Sequence, residues 1–235
     1  PEQGAISPAT FIPLAEDRGM SHQISDWVLN AGCRQLVAWQ RQGLNLPGRL
    51  AINISAQQVE DPGFPVRIIE QIRSFGLSPA CFELELTESG MMQNITQATE
   101  LVAQLSAAGF AIAIDDFGTG YSSLTYLKRL PAHKLKIDQS FVRTMLEERN
   151  DHAIVTTIIA MGRTLGLSIM AEGVERQDQA DALLALGCDE AQGYLFAKPA
   201  TAADFARQWL GRQGDPVTET AEASGSSNDE RALTF

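Results

Sequence analysis

The sequence predicts an α/β fold: a parallel sheet rolled into a (β/α) barrel and covered by helices, with about six strands of such a barrel present. Short β-like runs alternate with amphipathic stretches of helical period, the grammar of parallel strands joined by right-handed helical crossovers. Each run also carries a polar residue toward its C-terminal end, on the face opposite its apolar side chains. These polar residues come from every strand, whereas an open doubly wound sheet would gather them at one switch point.

The elements run in chain order. A helix spans about residues 21–42, with Trp27 and Trp39 read as core aromatics. RLAINIS at 49–55 is the first strand. Ile68, Ile69, Ile72 and Phe75 repeat at helical spacing, and Gly76 stops them ahead of FELELTE at 82–88. Asn94 caps the next helix with Gln97 three residues on; Ile95, Ala98, Leu101, Val102 and Leu105 form its apolar stripe, and Gly109 ends it before AIAIDD at 111–116. KLKID at 134–138 is the fourth strand, and its Asp138 caps the segment after it. Ile154, Ile158, Met161 and Leu165, stopped by Gly166, lead into SIMAEG at 168–173. Leu183 and Leu184, stopped by Gly187, lead into EAQGYLF, where 189–194 is the last strand. Residues 1–211 form the barrel domain; from 212 the chain turns rich in Ser, Glu, Asp and Thr, and 212–235 is expected to be a disordered acidic tail.

Composition excludes several classes. A formal charge of -11 repels a polyphosphate backbone, so no nucleic-acid polymer is expected as partner. No run approaches the roughly 18 apolar residues that span a bilayer. Cys33, Cys81 and Cys188 lie far apart without a CxxC pair, which fits small core residues in a reducing, cytoplasmic setting. The opening at Pro1, without Met, is read as a piece of a longer protein.

Strand parity locates the chemistry, because alternate side chains share a face. Leu50, Ile52 and Ile54 face helices and leave Asn53 on the other side; Phe82, Leu84 and Leu86 leave Glu83 and Glu85. In the same way Ile112 and Ile114 oppose Asp115, Leu135 and Ile137 oppose Lys136, and Ile169 and Ala171 oppose Glu172, with Gln192 the matching residue of the last strand. Glu85, Asp115, Asp116 and Glu172 would then crowd one rim. A close pair of like charges costs about 4 kcal/mol at 4 Å and an effective dielectric near 20, more than Lys136 alone can offset. Hard oxygen donors without converging Cys or His suit Mg²⁺ or Mn²⁺ and point to a site for two ions. The neighbouring features read more plainly. Lys134 pairs with Glu83 inside the barrel; His22, His133 and His152 carry no chemistry; Gly118 and Gly120 form a turn rather than a phosphate loop.

INIS at 52–55, ELTES at 85–89, DDFGTGYSSL at 115–124, KID at 136–138, AEGVE at 171–175 and QGYLFAKP at 192–199 together resemble the successive motifs of the EAL domain, a bacterial phosphodiesterase of cyclic di-GMP. The resemblance runs from about residue 4 to 210 and implies a TIM-like (β/α)8 barrel whose first strand is antiparallel. It implies that Asn53, Glu85 and Asp115 hold one Mg²⁺ or Mn²⁺ ion, and that Asp115 bridges to a second held with Asp116 and Glu172. Lys136 would orient the attacking water, Gln192 would complete the shell with Glu172, and Glu88 and Glu175 would position the loop after Asp116. The implied reaction is metal-dependent hydrolysis of cyclic di-GMP to linear pGpG by in-line attack on phosphorus. A homodimer through the barrel and upstream regulatory domains are implied as well. The Glu-Ala-Leu motif itself belongs to a strand upstream of Pro1, so two of the eight strands are expected to be missing and the runs at 49–55 and 189–194 to present open edges. The alternative is a catalytically silent receptor for cyclic di-GMP. A different Mg²⁺ barrel acting on a carbon acid would need a facing Lys or His base and leaves Asp115–Gly118 unexplained.

Overall fold

In the computed structural model, which describes residues 8–120 and 127–210, six parallel strands succeed one another in chain order. They are β1 (Leu50–Ile54), β2 (Phe82–Thr87), β3 (Ala111–Phe117), β4 (Lys134–Ile137), β5 (Ser168–Ala171) and β6 (Glu190–Ala191). The connections carry helices Phe64–Ser74, Ile95–Ala107, Arg149–Thr164 and Gln177–Leu186, while Pro8–Asp17 and Ser21–Arg41 precede the sheet and Ala202–Trp209 comes after it. The expected tail at 212–235 and Tyr121–Leu124 of the DDFGTGYSSL motif lie outside the described residues. Among the described residues no helix is long and apolar enough to cross a membrane.

The core forms where the parity reading places it. Ile52, Ile54, Leu84, Leu86, Ile112, Ile114, Leu135, Ile137 and Ile169 are buried against helical Ile68, Ile72, Leu101, Leu105, Val155, Ile159 and Leu183. Asn94 accepts from the Gln97 N–H at 3.3 Å and Asp138 from the Ser140 N–H at 2.9 Å, so both expected caps form. The reading of Trp27 is corrected. It is 67% exposed, while Trp39 is buried and stacks on Phe205 at 5.8 Å. At about 100° per residue, Trp27 falls opposite Leu29, Cys33 and Leu36, which are the side of that helix turned to the core.

The sheet is strongly curled. In a flat sheet four spacings of about 4.8 Å would separate β2 from β6 by roughly 19 Å. Yet the Lys134 Nζ on β4 touches Glu83 of β2 at 3.1 Å and Glu190 of β6 at 2.7 Å. One nitrogen reaches both only because the polar face is rolled inward.

The last strand is shorter than expected. Gln192 still extends the ladder through its N–H to the Ala171 carbonyl at 2.9 Å, but the chain then folds over Val174. Val174 donates to the Gln192 carbonyl and accepts from the Leu195 N–H, each at 3.0 Å. A Cβ on Gly193 would lie 2.2 Å from the Val174 carbonyl oxygen and 2.4 Å from its nitrogen, so only glycine lets the two backbones approach. Gly193→Ala is therefore expected to destabilise the protein by about 1–3 kcal/mol, read as a lower urea midpoint. An unchanged midpoint would show that the approach to Val174 is dispensable.

Candidate metal centre at the strand ends

The strand register brings the polar residues into one layer. Asn53 pairs with Glu85 across β1 and β2, and Thr87 pairs with Asp115 across β2 and β3. Lys136, only 2% exposed, stands at the centre. Its Nζ lies 2.6 Å from Glu172 Oε1, 2.7 Å from Glu85 Oε1 and 3.0 Å from Asp115 Oδ1. Gln192 Nε2 donates to the same Glu172 oxygen at 3.0 Å. Asn53 is exposed at the rim beside this group.

Asp116 joins the cluster by a backbone device. Strand alternation would send consecutive Asp115 and Asp116 to opposite faces. Instead the β3–β4 register shifts between Ile114 and Phe117, and Asp116 takes φ 52°, the one positive φ of a non-glycine residue among the described residues. A left-handed conformation is least costly for Asn and Asp, and residues held in it collect at functional sites. As a result Asp115, Asp116 and Glu172 present carboxylate oxygens within 4.8 Å of one another.

The turn after Asp116 is tied down from below. Glu88, 3% exposed at the start of the short helix Glu88–Met92, accepts from the Gly118 N–H through Oε2 at 2.9 Å. Gly118 has φ 102°, and a Cβ there would meet Phe141 at 2.9 Å, so this position requires glycine. Thr119 Oγ1 donates to the Asp116 carbonyl at 2.8 Å and closes the turn. Glu175 is placed differently from Glu88: it is exposed, and among the described residues no hydrogen bond or ion pair reaches its carboxylate. Its backbone N–H is held by Gln179.

Gln179 is the buried residue that parity could not find. Its Oε1 accepts from the Glu175 and Arg176 N–H groups at 3.0 Å each, and its Nε2 donates to the Val142 and Arg143 carbonyls at 3.2 and 3.3 Å. It thereby pins the segment after Glu172 to the helix Gln139–Thr144 that comes after β4. A Gln at the third position of a helical stretch, three residues past Arg176, is the half of a capping box that reaches back to the backbone, and it could have flagged Gln179 even though Arg176 offers no acceptor side chain. His133 Nδ1 accepts from the Ile112 N–H at 3.2 Å, a structural contact at the start of β3.

Burial and mutual repulsion set the electrostatics. Burial pushes the Glu172 carboxyl up to about 7, with Lys136 opposing and Asp115 and Glu85 reinforcing. Burial likewise raises Glu85 against the pull of Lys136. Asp116 is raised by burial and by the neighbouring Asp115 and Asp138. Burial pulls the Lys136 ammonium down, but Glu172 and Glu85 outweigh it and hold it above its ordinary value. Acids that resist ionisation together at one rim favour any added cation. The donor set is all hard oxygen, and no Cys or His belongs to it. It fits Mg²⁺ or Mn²⁺ rather than zinc.

The family model of the EAL domain matches residues 1–199. The chain is 45% identical over 199 residues to the bifunctional diguanylate cyclase/cyclic di-GMP phosphodiesterase MucR of Pseudomonas aeruginosa, covering 85% of this chain and 29% of that protein. It is 39% identical to the cyclic di-GMP phosphodiesterase PA2567 of the same organism, covering 85% of this chain and 34% of that one. The chain thus spans about a third or less of these curated relatives. Among solved structures, the PaMucR phosphodiesterase in complex with c-di-GMP superposes with a TM-score of 0.83 at 44% identity, over 87% of this chain and 83% of that one. The EAL enzyme Bd1971, bound to cAMP and cyclic di-GMP, gives 0.81 at 35% identity, over 88% and 57%.

Removing the central cation should expose what it neutralises. Lys136→Met is expected to cost about 3–5 kcal/mol at about pH 8 in chelator, since it strands buried carboxylates. The loss should shrink at about pH 5.5, where Glu172 carries its proton. In the unaltered chain without metal, folded Glu172 keeps its proton up to about 7 whereas an unfolded glutamic acid releases it near 4.5. The folded state binds more protons in that window, so this group's contribution makes stability fall as pH rises through it. Denaturant titrations at both pH values check this. A pH-independent loss in the variant would mean that Lys136 is not the counter-charge of the cluster.

Proposed function

The chain belongs to the EAL domain family, and from that membership we propose that it hydrolyses cyclic di-GMP to linear pGpG, using two Mg²⁺ or Mn²⁺ ions. The observation that carries the reading is the convergence of Asp115, Asp116 and Glu172 within 4.8 Å at the rim, on the same side as Lys136 and Gln192. Asn53 and Glu85 with Asp115 would hold one ion; Asp115, Asp116 and Glu172 would hold the other. When bound, such ions activate water and stabilise the charge that develops on the phosphodiester oxygens.

The protein's own residues have distinct tasks. Lys136, kept protonated by its acidic neighbours, orients the water and offsets their charge. Gln192 fixes the direction of the Glu172 carboxylate through its amide hydrogen bond. Glu88 holds the turn that aims Asp116, while Glu175 contributes its backbone N–H to the Gln179 clamp. The residues gathered at the rim, Asn53, Glu85, Asp115, Asp116, Lys136, Glu172 and Gln192, include no Ser or Cys, and in this reading water is the nucleophile. In the whole protein we place this domain in the cytoplasm, in a homodimer formed through the barrel, under the control of upstream regulatory domains.

Product analysis by chromatography after incubation with cyclic di-GMP and Mg²⁺ or Mn²⁺ should show linear pGpG, and chelator should abolish it. Binding of the dinucleotide with no turnover would return the receptor reading. Asp115→Asn should abolish turnover, because this carboxylate would serve both ions, whereas Glu88→Gln should lower single-turnover rates by about 10–100-fold as an outer partner. A Glu88 variant as inactive as the Asp115 one would reverse these roles.

A further inference from the structure

Beneath the rim lies a second charged layer that the proposed chemistry does not use. Lys134 Nζ contacts Glu83 Oε2 at 3.1 Å and Glu190 Oε2 at 2.7 Å, and Ser168 Oγ donates to Glu190 Oε1 at 3.0 Å. The Lys134 and Glu83 side chains are only 13% and 10% exposed. Each charged member sits two residues before a rim residue on the same strand: Glu83 before Glu85 on β2, Lys134 before Lys136 on β4, Glu190 before Gln192 at β6. The β4 register explains how one side chain spans the barrel. Lys134 pairs with Ala113 on β3 and Ser168 on β5, and these two small residues let it pass to the next strand on either side.

We propose that Lys134, with Glu83, Glu190 and Ser168, is a positioning floor that locks β2, β4 and β6 in register and so sets the geometry of the metal-holding layer above. The inference rests on the metal reading of the rim. Fixing one residue of a short strand constrains the direction of the side chain two further on, because both lie on the same face of the same pleat. Lys134 therefore governs where Glu85, Lys136 and Gln192 point without touching substrate or ion.

Position and charge make opposite forecasts, which separates this role from a plain electrostatic one. Lys134→Met leaves Glu83 and Glu190 unneutralised below the rim, and the added negative field would tighten cation binding. Loss of strand alignment would weaken it. Ser168→Ala leaves charge unaltered, so a field effect forecasts no change and a positioning effect forecasts weaker binding.

The test is Mn²⁺ affinity of the purified protein, read from the free-ion electron paramagnetic resonance signal, with circular dichroism confirming the fold of each variant. Lys134→Met is expected to weaken affinity by about tenfold or more, the size seen when outer partners of a metal site are lost. Ser168→Ala is expected to weaken it by about fivefold, less than the full worth of the hydrogen bond its hydroxyl donates to the charged Glu190 carboxylate. Unchanged or tighter binding in Lys134→Met overturns the proposal; if that variant does not fold, unchanged binding in Ser168→Ala overturns it. Failure of the unaltered protein to bind Mn²⁺ would instead overturn the metal reading, and the floor's role with it.

Discussion

One buried ammonium facing three carboxylates is the constraint around which the rest is arranged. Desolvating Glu85, Asp115 and Glu172 together is costly, and Lys136, within 3.0 Å of all three, makes it tolerable. Its position at the end of β4 requires β2, β3 and the segment after β5 to bring their acids to the same height. The parallel register and the curl of the sheet meet that requirement. Asp116 forms no ion pair with Lys136 and feels its charge only from a distance, which leaves negative charge at the rim for an external cation. The cluster is thus balanced for folding and unbalanced for binding.

Rigidity is supplied by polar contacts that lie off the reacting surface. Glu88 secures the Gly118 N–H, Gln179 clamps the segment after Glu172 to the helix after β4, and Gln192 holds Glu172 from the end of the neighbouring strand. Below them the Lys134 layer ties alternate strands together. Each contact joins segments distant in sequence, so the orientation of the acids depends on the packing of several elements of the curled sheet rather than on any one loop.

Much of this was legible in the sequence because β-strands alternate faces: apolar positions of the six strands marked the core, and the opposite parity marked Asn53, Glu85, Asp115, Lys136, Glu172 and Gln192. Asp138, Asn94 and the Lys134–Glu83 pair were legible for the same local reasons of capping and parity. Asp116 was not explicable from parity, because a left-handed backbone and a register shift place it, and neither is written in a period-two pattern. The early end of β6 depends on the close approach of Gly193 to Val174, a contact between distant segments. Trp27 was misread because its hydrophobicity was weighed without the phase of its helix. Gln179 escaped because its value lies in bridging the segment after Glu172 to the helix Gln139–Thr144, two places far apart in sequence, and Glu175, grouped with Glu88 by motif, stands exposed where Glu88 is buried.

The central claim is that the rim acids form a divalent-cation site, and crystals grown with Mn²⁺ test it most directly. Anomalous-difference maps collected at the manganese absorption edge should show density among Asp115, Asp116 and Glu172, with oxygen ligands and no nitrogen or sulfur ligand from His or Cys. A map without density there, in crystals whose solvent contains Mn²⁺ at saturating concentration, would contradict the account.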